Sequence, residues 1–186
     1  MQNKLMIIIL SLFVPAVASA QKLAVSTDML GYADFVTLNG EVSYSLSRHW
    51  SANAGFRYNP FTFQSGAEDA HLISNRQRTF SAGARYWPWH VFSGWWVSGK
   101  VQYQEYNRGG IRHLETREGD RYGAGAAAGF TYMVSRWMNL EFSLGAWAGK
   151  DDHTVFECPQ CGARVEQGES FFVLPNDIML ALSFVF

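Results

Sequence analysis

The sequence predicts an all-β protein, an eight-stranded antiparallel transmembrane β-barrel. Three observations carry that prediction: alternation of apolar and polar residues with period two, connections that alternate short and long, and aromatic residues gathered at both ends of the alternating segments. Successive side chains of a strand face opposite sides, so one face can be as apolar as lipid while the other is polar. This resolves a conflict in composition, since aromatics are 16% of residues while the mean hydropathy is slightly polar at −0.10.

Residues 1–20 stand apart. Lys4 is their only charge, an apolar run spans Leu5 to Val14, Pro15 follows, and Ala18-Ser19-Ala20 close the segment. This reads as a secretory signal peptide cleaved before Gln21, its apolar core too short for the roughly 20 residues of a membrane helix. Residues 21–186 then form one domain of 166 residues (186 − 20), with no linker, charge run or low-complexity stretch dividing it. Without Lys4 the chain carries 14 bases against 16 acids, so its charge offers no case for nucleic-acid binding.

The eight expected strands follow in order. The first alternates from Leu23 to Met29, the second from Val36 to Leu46, and the third from Trp50 to Asn59. The fourth runs from Thr79 to Tyr86, the fifth from Trp95 to Gln104, the sixth from Tyr122 to Tyr132, and the seventh from Asn139 to Ala146. The eighth sets Ile178, Leu180, Leu182, Phe184 and Phe186 against Asp177, Met179, Ala181, Ser183 and Val185. Strands of about ten residues suit a tilted membrane barrel. Short connections at Ser47–His49, Trp87–Ser93 and Ser135–Arg136 alternate with long ones at Pro60–Asn75, Asn107–Gly119 and Lys150–Pro175; Gly31–Asp34 is the one short connection on the long side. Tyr44, Trp50, Tyr86, Trp95, Tyr132, Trp137 and Phe186 fall at one end of the strands, and Tyr32, Phe35, Tyr58, Tyr103 and Tyr122 at the other, as two aromatic belts.

A soluble lipocalin-like barrel also alternates, with its apolar face inward. Here the apolar face holds most of the tryptophans, more bulk than eight strands enclose, while the polar face is rich in Gly, Ser, Ala and Asn. That face also carries Asp28, Glu41, Glu141 and Asp177 with Arg57, Arg85 and Lys100, which can form an ion-pair network in the lumen. An eight-stranded interior is about filled by its own side chains, which argues against a general diffusion pore.

Candidate chemistry is sparse. Cys158-Pro159-Gln160-Cys161-Gly162 admits a disulfide, free or redox thiols, or half of a metal site that lacks a second ligand pair. His71, His113 and His153 fall in the long connections with Ser74 and Ser170, but no spacing signals a catalytic triad, and His49 and His90 read as interfacial. No cofactor is expected.

Two resemblances add to this reading. The final strand, with its alternating apolar residues and terminal Phe186, resembles the C-terminal signal by which bacterial outer-membrane barrels engage the barrel-insertion machinery. Tyr86-Trp87-Pro88-Trp89, Phe92-Ser93-Gly94-Trp95-Trp96, the run from Tyr103 through Tyr106-Asn107-Arg108-Gly109-Gly110, and the Cys-Pro-x-Cys-Gly loop are similar to an uncharacterised family of small outer-membrane proteins, a domain of unknown function. That resemblance covers essentially all of residues 21–186. It implies an OmpA- or OmpX-like barrel in the bacterial outer membrane, in contact with outer-membrane lipid, and a fimbrial or surface-assembly partner; it brings no catalytic residues. The expected function is a monomeric, non-enzymatic membrane scaffold whose outer loops bind a surface partner. A lipid-modifying acyltransferase or hydrolase and a narrow pore are the alternatives.

Overall fold

A computed structural model describes residues 21–64, 72–109, 115–157 and 164–186; the segment read as a signal peptide, and Cys158 and Cys161, lie outside the described residues. The strands are β1 (Leu23–Asp28), β2 (Leu38–Ser45), β3 (Trp50–Asn59), β4 (Thr62–Gln64), β5 (Leu72–Tyr86), β6 (Gly94–Gly109), β7 (Thr116–Met133), β8 (Met138–Phe156) and β9 (Arg164–Val185), with one short helix α1 (Met29–Ala33). They form a single antiparallel sheet that closes into a ring, because β1 pairs with both β2 and β9 while β3 pairs with β5. Among the described residues there are nine strands where the sequence predicts eight. The extra one, β4, lies in the stretch read as loop and pairs only with β5, so the ring itself is made by the other eight.

Pairing followed once round the ring from Ser26, through Glu41, Gly55, Ser81, Gln102, Gly123 and Gly149, arrives at Phe172 rather than at Ser183, the β9 partner of Ser26. This stagger is what closing a sheet requires, and it tilts every strand against the ring axis. Polar residues fill the interior, with Ser26, Ser43, Ser51, Asn53, Gln102 and Gln104 all buried, while Val101, Leu144, Val173 and Ile178 stand exposed on the outside.

One end of the ring is closed. Two of its turns share a geometry: Leu46 and Ser47 both donate backbone N–H groups to Trp50 O, and Val134 and Ser135 do the same to Met138 O. The third connection, Trp87–Ser93, is more than a turn. It folds Trp87, Val91 and Phe92 into the ring against Trp96, Ala24, Ala127 and Val185, making an apolar plug. Adjacent tryptophans therefore part ways, Trp96 being 2% exposed and Trp95 57%. Gly129 makes the plug possible, since a Cβ there would collide with the Trp96 ring. Inside the plug, the Trp87 indole N–H donates to Ser51 Oγ (3.0 Å), that of Trp96 to Thr131 Oγ1 (3.2 Å), and Asn139 Nδ2 to Phe92 O (3.0 Å). Buried indoles need such acceptors.

The other end is tall and, among the described residues, open. Strands β5 to β9 run 15, 16, 18, 19 and 22 residues, so most of the predicted loops Asn107–Gly119 and Lys150–Pro175 is strand instead. On the short side, the predicted turn Gly31–Asp34 falls in and just after α1, whose first turn is capped by the Asp28 carboxylate accepting the Leu30 N–H (3.0 Å). Phe35 and Val36 follow at φ of 50° and 58°, so β2 starts at Leu38 rather than at Val36. A left-handed β-branched residue is costly, and hydrogen bonds from Thr37 N to Gly31 O and Asp34 O hold the loop in place.

Candidate functional site

The seven charged residues expected to share the interior do so, in three separate units rather than one network. Arg85 sits between Glu41 and Glu141, with Nη1 3.1 Å from Glu141 Oε2 and Nη2 bonded to Glu41 Oε1, and its guanidinium lies over the Trp96 ring at 4.2 Å. Lys100 Nζ reaches Asp177 Oδ1 at 2.6 Å, and Arg57 Nη2 approaches Asp28 Oδ2 at 3.5 Å. Asp28 is tied further by the Leu180 N–H on β9 (3.2 Å), so one carboxylate links α1, β3 and β9.

Asp177 owes its inward aim to a β-bulge. Ser143 pairs with Met179 and Gly145 with Asn176, so two β9 residues oppose one on β8, and Asp177 adopts φ 55°. Below the bulge Ile178, Leu180, Leu182, Phe184 and Phe186 keep to the outer face; above it the inward parity passes to Leu174 and Phe172.

A fourth unit lies nearer the open end, and sequence reasoning missed it. Asp151, with its side chain 2% exposed, accepts from Tyr106 Oη (2.8 Å), Arg117 Nη2 (3.0 Å) and Arg121 Nη2 (3.2 Å). The Arg121 guanidinium stacks on the Tyr106 ring at 3.9 Å and lies 5.7 Å from that of Phe172. Burial and the bond to Asp151 push the Tyr106 hydroxyl above its ordinary range, against the opposing pull of Arg121. Burial and the neighbouring Arg121 pull Arg108 below its own, partly offset by Asp34. Arg117, Gly119 and Arg121 share a face by even spacing, a signal that extending the alternation past Tyr122 exposes.

Tyr106 of this unit also lines a cavity of about 950 Å³, bounded at one level of the ring by residues including Asn59, Gln77, Gly119, His153 and Gly168. Of the histidines considered for catalysis, His71 and His113 lie outside the described residues, and among those described His153 Nδ1 meets the backbone oxygen of Asp151 (3.4 Å). Ser74 Oγ bonds Asn107, so among the described residues neither it nor Ser170 is hydrogen-bonded to a histidine. No group of three or more His, Cys, Asp or Glu side chains is arranged for a metal ion among the described residues.

No curated protein matches the chain. The family described as "Protein of unknown function (DUF3575)" matches residues 5–186, and the chain belongs to that family.

Proposed function

We propose that the protein is a non-enzymatic, monomeric outer-membrane β-barrel that spans the bilayer with its eight ring strands and offers its tall open mouth to a surface partner. The observation that carries this reading is the band of exposed apolar side chains around the outside of a polar-filled ring. From Tyr132 to Tyr122 on β7 the outward residues are aromatic or alanine. Those ten steps cover about 33 Å along the strand, or about 25 Å of height at a tilt near 40°, the thickness of an outer-membrane apolar band. Each large side chain left in water forgoes about 1.5–3 kcal/mol of burial. A dozen of them would outweigh the 5–15 kcal/mol that keeps a typical domain folded, so lipid is the solvent that suits this surface.

The plug of Trp87, Phe92 and Trp96, backed by the Arg85 unit, argues against a conducting lumen, and the short turns of the closed end support a periplasmic position for it. The opposite wall, rising above the Tyr103–Tyr122 belt, then stands outside the cell as a rigid rim on which a surface or fimbrial protein can dock.

Single-tryptophan variants folded into vesicles whose lipids are brominated on the acyl chain test this. Trp95 and Trp137 should be strongly quenched and Trp96 spared, with no stepwise bilayer current. A chain that stays dispersed without detergent, or quenching of Trp96 in preference to Trp95, would overturn the reading.

A further inference from the structure

On β6 and β7 above the belt, charge is sorted by face. Glu105, Glu118 and Asp120 point outward, where Tyr103 Oη donates to Glu105 (3.2 Å) and Asp120 (2.9 Å). Arg108, Arg117 and Arg121 belong to the inner face. Arg108 and Arg117 are direct cross-strand partners, and like charges directly opposite one another destabilise a sheet. Asp151 is the only carboxylate that Arg117 and Arg121 share, and Arg108 has no ion pair among the described residues. Glu166, exposed at the top of the same wall, pairs with none of them. The Nε–H groups of all three arginines are buried and find no acceptor among the described residues. Arg117 keeps its side chain 42% accessible; the cavity wall passes the chain neighbours Tyr106, Asn107, Glu118 and Gly119 rather than the three arginines themselves, and also carries Glu105, Asp120, Asp152 and Glu169.

We infer that this inner wall is an oxyanion site, in which Arg108 and Arg117, with Arg121 stacked behind them on Tyr106, bind a phosphate group entering from the open mouth. Three like charges crowd this wall, Asp151 is shared by two of them and Asp34 offsets Arg108 only in part, so a further anion would relieve the excess of positive charge. A phosphate accepts the forked N–H donors of two arginines at once, and Arg rather than Lys is the residue suited to it. Asp151 holds Arg117 and Arg121 in position and, by the same bonds, competes with the ligand for them. The inference rests on the reading in which the open mouth faces a surface ligand, and it names the chemical group that such a ligand carries.

The test uses the folded protein in neutral detergent, titrated calorimetrically with inorganic phosphate, and in a second arm with phosphatidylglycerol vesicles against phosphatidylcholine vesicles. Saturable binding of free phosphate assigns the group to a soluble or protein-borne ligand; binding of phosphatidylglycerol alone assigns it to a lipid headgroup. In whichever arm binds, Arg108→Gln and Arg117→Gln should each weaken the interaction at least tenfold, and Asp151→Asn, by freeing two guanidinium groups, should tighten it at least threefold. A merely structural role for Asp151 would not produce that gain. Absence of saturable binding in both arms, or binding indifferent to these three variants, overturns the inference. The bromolipid experiment reports separately on the membrane reading, so each can fail without the other.

Discussion

The two arginine units inside the ring are inverses of each other. Near the closed end one cation, Arg85, is held between two carboxylates, Glu41 and Glu141, and capped by the Trp96 ring. Near the open end one carboxylate, Asp151, is held between two cations, Arg117 and Arg121, beside a cavity. Their burial differs chiefly at one residue, Arg117, because Arg121 and Asp151 are themselves enclosed. Both side chains of the Arg85–Glu141 pair are almost wholly enclosed, whereas Arg117 remains reachable from the mouth. A buried ion pair adds little net stability but is costly to break, because the surviving charge is left without solvent. The closed unit is therefore built to be left intact, and the open one can exchange a partner.

Substitution of Arg85 should break that contrast most strongly. Arg85→Met strands two carboxylates and is expected to cost about 3–5 kcal/mol in the urea unfolding of the detergent-folded protein. Neutralising both acids as well, in an Arg85→Met, Glu41→Gln, Glu141→Gln variant, should recover most of that loss. Gly129→Ala, which drives a methyl into the Trp96 ring, should cost about 1–3 kcal/mol and redden the tryptophan emission as the plug loosens. At the open end Asp151→Asn should cost only about 1–2 kcal/mol, since water reaches Arg117, one of the two arginines it releases, and Arg121 keeps the Tyr106 ring beneath it. If Asp151→Asn proves as damaging as Arg85→Met, the two units are equally structural and the contrast fails.

The same division decides how much could be read from the sequence. Wherever one face of a strand is an exposed apolar band and the other lines the polar interior, the period of two is plain, and the expected strand segments from Trp50 to Asn59 and from Tyr122 to Tyr132 fall where β3 and β7 run. Above the belt both faces carry polar and charged residues, so Thr116 to Arg121 and Asp151 to Phe156 pair as regular strands with no apolar face to announce them. On β9 the bulge at Asp177 adds a second obstacle. It shifts the inward parity from odd to even positions, so an alternation followed back from Phe186 falls out of step just before Pro175. The arginine wall was hidden for this reason, while Arg85, Lys100 and their acids stand on strands whose apolar faces mark them. The Trp87–Ser93 plug was concealed differently. Its residues have the composition of an interfacial turn, and only the missing side chain at Gly129 shows that one indole turns inward.

Tyr106 offers the smallest and most selective test, because it belongs to the open unit alone. Its hydroxyl is neutral in the folded protein to a higher pH than the ordinary value of 10.0, chiefly through burial and then through its bond to Asp151. A tyrosine raised in this way contributes stability that is fully present below pH 10 and is lost as pH climbs through the folded value, since the unfolded chain releases the proton first. Alkaline unfolding curves of the native protein and of Tyr106→Phe should therefore coincide in slope below pH 10 and diverge above it, the native protein losing stability faster. The part of the late 295 nm difference absorbance that is lost in Tyr106→Phe should belong to this phenol. If phosphate occupies the neighbouring arginines, it adds negative charge beside Tyr106 and should move that ionisation to still higher pH. Arg108→Gln should abolish this further displacement while leaving the phosphate-free titration late, which separates the ligand from the scaffold that holds it.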